Sequence, residues 1–368
     1  MKKRITKIVV TGGPCAGKSS FLSRIDKVLT ARGYRVFLIS ETATDLILGG
    51  IKPFGDCMSM YDFQTFVFPT QFAKEDLYYR AAQIVPEEKV VIVCDRGILD
   101  NKAYVSEEEF QEILRTLGKQ EISVRDSYDA VIHLVTAAQG AEYAYTLSNN
   151  SARTETPEQA RERDRKTLHA WTGHPHLRVI DNSTDFEGKI SRAMNEVYSL
   201  LDEPFPLRSQ HKFLIKKPSL EDLSQHTSYS VTHVMRTYLN QIEPGIQRRI
   251  LQVGQDGDFV YYYAERRPLP NAEIAEQEEH IDEKKYLSLL MDADTRFHQL
   301  SCKQLSFIYD NQNYRIDLYP FSEDRAIMQV AHTKNPQDLK LPKFLSVIRD
   351  VTNDPAYRSH VISLEMSL

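Results

Sequence analysis

The segment Gly12-Gly13-Pro14-Cys15-Ala16-Gly17-Lys18-Ser19 fits the pattern G-x-x-x-x-G-K-[ST] and lies between an apolar run, Ile8-Val9-Val10, and a helical pattern over Lys18–Ala31. That context gives the pattern its meaning. Glycines let backbone N–H groups converge on one point, and a helix starting there adds the positive end of its dipole. The expected cradle runs from Gly12 to Ser20, with Lys18 reaching the terminal phosphates of a nucleoside triphosphate and Ser19 ligating Mg²⁺. Cys15, inside the loop, is read as a passive small residue. The competing reading is a glycine-rich turn that holds nothing.

The surrounding pattern makes the turn part of a parallel sheet. Val36-Phe37-Leu38-Ile39, Val90-Val91-Ile92-Val93-Cys94, Val131-Ile132-His133-Leu134-Val135 and Leu177-Arg178-Val179-Ile180 are further apolar runs, separated by helical stretches that include residues 60–84. Near-continuous Val/Ile runs alternating with helices indicate strands buried on both faces. The first 203 residues therefore read as an α/β, P-loop kinase-like domain. A chain of 368 residues has room for a second domain. Asp202-Glu203-Pro204-Phe205-Pro206 is the expected linker, and residues 204–368 the expected second domain. There the pattern changes to alternating strands: His211–Lys217, Tyr229–Leu239, Arg248–Val253, Phe259–Arg266, Phe297–Tyr309, Tyr314–Tyr319 and Ala326–His332. Helices are expected near Glu283–Met291 and Pro342–Val351, and turns at Gln255–Asp258 and Asp310–Asn313. This reads as an α+β antiparallel sheet or barrel.

Several classes are excluded by composition. The net charge of -5 argues against a protein that coats DNA, although a local basic groove is compatible with it. No apolar run reaches the roughly 18 residues of a spanning helix. The basic start, Met1–Lys7, runs straight into the first strand and does not read as a leader peptide. Cys15, Cys57, Cys94 and Cys302 form no CxxC pair, so neither a disulfide framework nor a zinc cluster is expected. A cytoplasmic location follows as an expectation; the oligomeric state stays open.

Other residues are expected around the phosphate loop. Asp95 ends the strand Val90–Cys94, where open α/β sheets bind ligands, and is the candidate to hold the metal through water. Capping of the next helix is its alternative role. Arg96 is placed to touch substrate or phosphate, with Asp100 and Tyr104 lining the same crevice. Glu41, after the second strand, is the candidate to take a proton from a hydroxyl acceptor, or else a helix-terminal acid favoured by the dipole. Thr156 reads as a helix N-cap with Pro157 in the first turn. Arg161 and Arg165, four apart, share one face of that helix, a face able to close over a triphosphate, and Arg163 lies between them in sequence. Interleaved Glu158 and Glu162 support an ion-paired solvated face instead. Arg153, ahead of the helix, is the separate candidate for a catalytic finger. His174 and His176 lack a third ligand, and Trp171 reads as a packing residue.

Taken together, Gly-Gly-Pro-Cys-Ala-Gly-Lys-Ser, Glu41-Thr42-Ala43, Cys94-Asp95-Arg96-Gly97, Arg153–Glu158 and the segment from Ala170-Trp171-Thr172-Gly173-His174 to Asp181-Asn182 resemble a known family. They are similar to the AAA-like P-loop kinase domain shared by NadR-type ribosylnicotinamide kinases and the TRPL-translocation-defect family, over about residues 5–200. The resemblance implies a nucleoside triphosphate with Mg²⁺. ATP and GTP both remain, since no N-K-x-D guanine motif is present.

The second half resembles the CYTH, or triphosphate-tunnel, domain that accompanies this P-loop domain in the same family. The matching stretches include His211–Ile215, Arg236–Leu239, Arg248–Ile250, Arg266-Arg267, Glu276–Glu279, Lys303 and Tyr314–Pro320. Catalytic tunnel domains are eight-stranded barrels lined by basic groups for triphosphate and glutamates for metal. Here the E-x-E-x-K signature reads Arg208-Ser209-Gln210-His211-Lys212, and the late acidic strand reads Gln329-Val330-Ala331-His332. Lys212, Arg248, Arg249, Arg266 and Lys303 then leave an anion-binding tunnel short of metal ligands. The equally weighted alternative is a barrel whose basic groups pair with Glu276, Glu278 and Asp317.

Three functions are therefore in play. The first is a small-molecule, nucleoside-like kinase or NTPase. The second is a nucleotide-regulated switch whose tunnel senses a polyphosphate or phosphoinositide. The third is a triphosphatase with Glu276, Glu278 and Asp317 as a reduced metal site.

Overall fold

The computed structural model describes residues 3–53, 58–145, 156–201, 211–268, 274–330 and 339–368. The chain divides into two units, Met1–Leu200 and Leu201–Leu368. The expected linker, Asp202–Pro206, lies outside the described residues, as do the expected candidate Arg153 and the signature residues Arg208–Gln210 and His332.

The first unit is a five-stranded parallel sheet flanked by helices. Its elements are β1 (Arg4–Thr11), α1 (Lys18–Ala31), β2 (Arg35–Ile39), α2 (Thr42–Leu48), α3 (Met60–Ile84), β3 (Lys89–Asp95), α4 (Glu107–Thr116), α5 (Glu121–Arg125), β4 (Ala130–Leu134), α6 (Pro157–Ala170), β5 (Leu177–Ile180) and α7 (Phe186–Leu201). The strand order is β2-β3-β1-β4-β5. Helices cover both faces, which is why Val90 to Cys94 are all apolar and buried. The chain crosses from one side of β1 to the other between β3 and β4. That reversal opens a crevice at the C-terminal ends of β1, β3 and β4.

Helix α3 is aimed at this crevice by two lysines. Lys3 Nζ donates to the carbonyls of Ala82 (2.9 Å), Gln83 (3.0 Å) and Val85, and Lys7 Nζ pairs with Glu75 Oε2 at 3.2 Å. Four strand residues and eight helical residues both span about 12–13 Å, so α3 runs antiparallel beside β1. Its first turns therefore extend past Thr11, over the strand ends.

The second unit is a nine-stranded antiparallel sheet. Its elements are β6 (His211–Lys216), α8 (Leu220–His226), β7 (Tyr229–Leu239), β8 (Gln247–Gln255), β9 (Asp258–Pro268), β10 (Ile274–Ile281), α9 (Glu283–Leu290), β11 (Leu300–Tyr309), β12 (Gln312–Leu318), β13 (Arg325–Val330), β14 (Val347–Asp350) and α10 (Ser359–Glu365). The order is β10-β9-β8-β7-β11-β12-β13-β6-β14. On a flat sheet β9 and β6 would lie about 29 Å apart. Yet Arg266 of β9 acts on Lys212 of β6: burial, then Arg266, pulls the Lys212 ammonium down to about 8. The sheet must therefore curl until these strands face each other.

The antiparallel sheet expected of the second half is present, with nine strands and, among the described residues, no β10–β14 ladder. Two expectations need correcting. The helix expected over Pro342–Val351 is replaced by β14, an edge strand on β6; its short run of Val347 and Ile348 also suits an edge strand. β10 is absent from the expected strands: Glu276-Gln277-Glu278-Glu279 has no apolar alternation, yet charge is what natural edge strands carry. Among the described residues no helix is long and apolar enough to cross a membrane.

Both hairpin turns place two consecutive residues at positive φ, Asp256 (53°) with Gly257 (91°) and Asp310 (48°) with Asn311 (61°). This is the turn whose twist matches antiparallel strands. The second turn sits one residue earlier than the sequence suggests. Gly257→Ala is expected to destabilise the second unit by about 1 kcal/mol and Gly257→Asn by less, read as urea midpoints.

Candidate functional site

The phosphate loop is shaped from outside. Gly12 (φ 136°), Cys15 (φ 55°) and Gly17 (φ 93°) take left-handed or related conformations. A Cβ on Gly12 would lie 2.0 Å from Leu134 O, so only glycine fits there. Carbonyls on the outer side are all engaged. Thr136 Oγ1 donates to Pro14 O, Ala137 N donates to Cys15 O at 3.3 Å, and Lys189 Nζ donates to Ala16 O at 3.0 Å. Lys189 also holds Val135 O (2.6 Å) and Asn182 Oδ1 (2.8 Å), and burial pulls its ammonium down to about 8. With these carbonyls turned outward, backbone N–H groups other than that of Gly13, which donates to Asp164 Oδ1, are left to line the inner side of the loop. There Lys18 Nζ donates to Gly12 O and Gly13 O, both at 2.9 Å. Burial first, then Arg96, pulls the Lys18 ammonium down to about 8 against the pull of Glu41, Asp95 and Asp100.

Around Lys18 the described residues of the crevice include three acids and one arginine. Asp95 stands at the end of β3 with Oδ1 buried and without a hydrogen-bond partner. Burial, then the Glu41 charge, pushes its carboxyl up. It caps nothing: Asp100 instead accepts from Gly97 N at 2.7 Å, Trp171 Nε1 at 3.2 Å and Thr11 Oγ1. Asp100 is thus a structural acid, whereas Asp95 has coordination to spare. Glu41 accepts from Arg96 Nε at 2.5 Å and Thr44 Oγ1 at 2.9 Å. Burial pushes its carboxyl up, but Arg96 and Lys18 more than offset that and hold it below the usual range. Arg96 itself sits at φ 70°, with Nη1 buried and unpartnered. Hard oxygen donors, an orphaned Asp95 oxygen and the Ser19 hydroxyl at the loop's end, fit Mg²⁺, which takes its other ligands from phosphates and water. Among the described residues no group of three His, Cys, Asp or Glu side chains is arranged to hold a metal.

Helix α6 is fastened to the loop. Thr156 is its N-cap and Pro157 its first residue. Asp164 Oδ1 accepts from Gly13 N at 2.6 Å and Thr136 N at 3.3 Å, with His133 Nε2 at 3.2 Å. Arg161 donates to Ala138 O and Glu158, both at 2.8 Å, while Arg165 pairs with Glu162 on an exposed face. Arg163 lies over the Tyr104 ring, 4.2 Å from its centroid, and donates to Ala103 O. None of these three guanidinium groups is bonded to the phosphate loop. His174 is buried against Tyr128 O and pulled down to about 4 by burial, so it packs as a neutral ring.

Sequence reading missed Asp164, Lys189 and Thr136. Asp164 and Lys189 had a signal: Asp164 falls in the buried stripe Ala160, Thr167, Leu168, and Lys189 beside buried Ile190, Ala193 and Val197. A lone charge in an apolar stripe requires a partner. Gln64, on the part of α3 that overhangs the strand ends, is another omission; it is buried and its Oε1 lacks a donor.

In the second unit, strand alternation decides which basic residues meet. Opposed pairs share a face, and the ladders place Lys212 with Gln329, Arg315 with Gln329, and Arg266 with Glu276 on the inside of the curl. Arg249, opposite Tyr238, joins them. Arg248, its neighbour in sequence, points to the other face and donates to Tyr263 Oη (3.0 Å), Asn240 O (2.8 Å) and Asp292 (3.0 Å). Lys303 alternates away in the same manner, on the face of buried Leu305 and Phe307. The expected set of five therefore loses Arg248 and Lys303 and gains Arg236 and Arg315. Asp317, fully buried, accepts from Gln304 (2.7 Å), Gln329 (2.9 Å) and Arg236 (3.5 Å).

One contact tests the packing beneath the crevice. A Cβ on Gly97 would lie 2.6 Å from Trp171 Cζ2 and 2.9 Å from Val9 Cγ2. Gly97→Ala is expected to destabilise the first unit by about 1–3 kcal/mol in urea unfolding. A change within ~0.5 kcal/mol would show that the indole moves aside freely.

No curated protein matches the sequence. Among solved structures, the chain is similar to the inorganic triphosphatase NE1496 at 17% identity, covering 44% of this chain and 95% of that one with a TM-score of 0.31. It is also similar to the PH1012 protein from Pyrococcus horikoshii OT3 at 15% identity, covering 36% and 82%, with a TM-score of 0.27. Residues 7–189 match the family model of an AAA domain.

Proposed function

We propose that the first unit binds ATP or GTP with Mg²⁺ and transfers the terminal phosphoryl group to a hydroxyl acceptor, nucleoside-like in size, or to water. The observation that carries this reading is the unpartnered Asp95 oxygen beside a buried lysine and a carboxylate–arginine pair. Lys18, released from Gly12 O and Gly13 O, neutralises the terminal phosphates and the oxygen that leaves with the diphosphate. Ser19 and Asp95 would hold Mg²⁺, which supplies charge neutralisation between the phosphates. The acceptor oxygen bonds to phosphorus as the bridging P–O bond breaks, and the acceptor's proton passes to Glu41. A carboxylate held low by Arg96 is a weak base, but it is ionised at neutral pH, and a loose phosphoryl-transfer transition state demands little of a base.

Turnover of ATP and GTP, with a panel of hydroxyl acceptors and without any, tests the reading. Lys18→Ala is expected to lower turnover by at least about 100-fold, and Glu41→Gln to lower transfer to an acceptor by about 100-fold. Turnover unchanged in Lys18→Ala would overturn it. Nucleotide affinity supplies a second check. Lys18 is pulled down to about 8 by burial and is raised by bound phosphate, so binding takes up a proton above that pH. Affinity is expected to be flat below pH 8, to fall by up to about tenfold per unit above it, and to stay flat to pH 9.5 in Lys18→Arg.

A separate observation favours a second reading for the second unit, a CYTH-like anion site for a polyphosphate or phosphorylated headgroup. Lys212, Arg236, Arg249, Arg266 and Arg315 act on one another across the curl, with Glu276, Glu278 and Asp317 as the acids in reach. Among the described residues Lys212 and Arg315 make no ion pair. Glu276 and Asp317 are already bonded to cations and amides, which weighs against the triphosphatase alternative.

A further inference from the structure

Glu276 occupies the place an anionic ligand would take. It lies on β10 directly opposite Arg266 of β9. Arg266 Nε donates to its Oε2 at 2.9 Å, and Arg249 Nη2, reaching across from β8, donates to its Oε1. Two guanidinium groups from two strands thus converge on one carboxylate. The fit is incomplete, because Arg249 Nε is buried and has no acceptor. A carboxylate offers two oxygens, whereas a phosphoryl group offers three and carries more charge, so it can satisfy the donors that Glu276 satisfies and the one it leaves bare.

Charge balance points the same way. Among the described residues five cations and three acids share the inner face, and the cations without ion pairs there, Lys212 and Arg315, belong to strands on the far side of the curl from β10. A chain of phosphoryl groups could take the arginine pair from Glu276 and extend toward Lys212. A single orthophosphate would exchange one small anion for another and gain little beyond the Arg249 Nε bond.

We propose that Glu276 is a tethered competitor for the arginine pair, which sets an affinity threshold that an oligophosphate exceeds and orthophosphate does not. This rests on the second reading above, that the curled sheet is an oligophosphate site. Displaced from Arg249 and Arg266, the carboxylate can turn to solvent, since β10 is an edge strand. The site therefore binds its ligand by exchange of one anion for another and needs no metal.

Calorimetric titration of the full chain with inorganic tripolyphosphate, and separately with orthophosphate, tests this, with EDTA present and Lys18→Ala in every chain to silence the phosphate loop. Glu276→Gln is expected to tighten tripolyphosphate binding at least tenfold and to bring orthophosphate into the measurable range. Glu279→Gln removes the same charge from the opposite face of β10, where Glu279 meets Lys285 at 3.6 Å, and is expected to change affinity less than twofold. Unchanged or weaker binding in Glu276→Gln would overturn the competitor and leave the oligophosphate reading standing. No binding to any of the chains would overturn both. Should Glu276→Gln lose its folded circular-dichroism signal, Glu276→Asp decides: it keeps the charge but, one methylene shorter, reaches a single arginine, and binding tighter than the parent by about threefold is expected, with no tightening counting against the proposal.

Discussion

The outward anchoring of the Pro14, Cys15 and Ala16 carbonyls is the constraint on which the first unit's chemistry depends. Backbone N–H and C=O groups point in roughly opposite senses, so a loop can present its amides to a ligand only if its carbonyls have partners behind it. Thr136, the amide of Ala137 and the buried Lys189 are those partners. They come from the segment after β4 and from α7, so the anion cradle is a product of the whole sheet and not of eight residues in a row. Lys189 enforces this most strongly: a buried ammonium with three acceptors has nowhere else to put its charge.

The same dependence explains what could and could not be read from the sequence. The glycine loop, the buried strands and Asp95 at a strand end are local: each is written in fewer than ten consecutive residues, and each lies where it was expected to lie. Asp164, Lys189 and Thr136 meet the loop from more than a hundred residues away, and only the strand order brings them there. In the second unit the fault was one of parity. Arg248 and Arg249 are adjacent, and in a strand adjacency means opposite faces. Grouping them treated a basic dipeptide as one feature where the pleat makes it two. Arg236 and Arg315 share the inner face with Arg249 and lie outside the expected set.

Both units meet the problem of buried charge in different ways. In the first, acids and bases are nearly matched around Lys18, and the groups left without partners are a carboxylate oxygen of Asp95 and Nη1 of Arg96. In the second, among the described residues of the inner face, cations outnumber acids, and one glutamate bridges two arginines while Lys212 and Arg315 make no ion pair. A buried charge without its counter-charge is costly, so each imbalance marks where a ligand of the opposite sign would stabilise the fold.

The carboxylate of Asp164 has a consequence for motion. It belongs to the helix that carries Arg161 and Arg165, and it closes a hydrogen bond with the amide of Gly13 in the phosphate loop. Rotating α6 away as a rigid flap would strip a buried amide of its acceptor and leave a buried carboxylate facing apolar walls, a loss on the order of several kcal/mol. The helix and the loop therefore behave as one body. A ligand that enters the crevice meets α6 and the loop as one fixed floor.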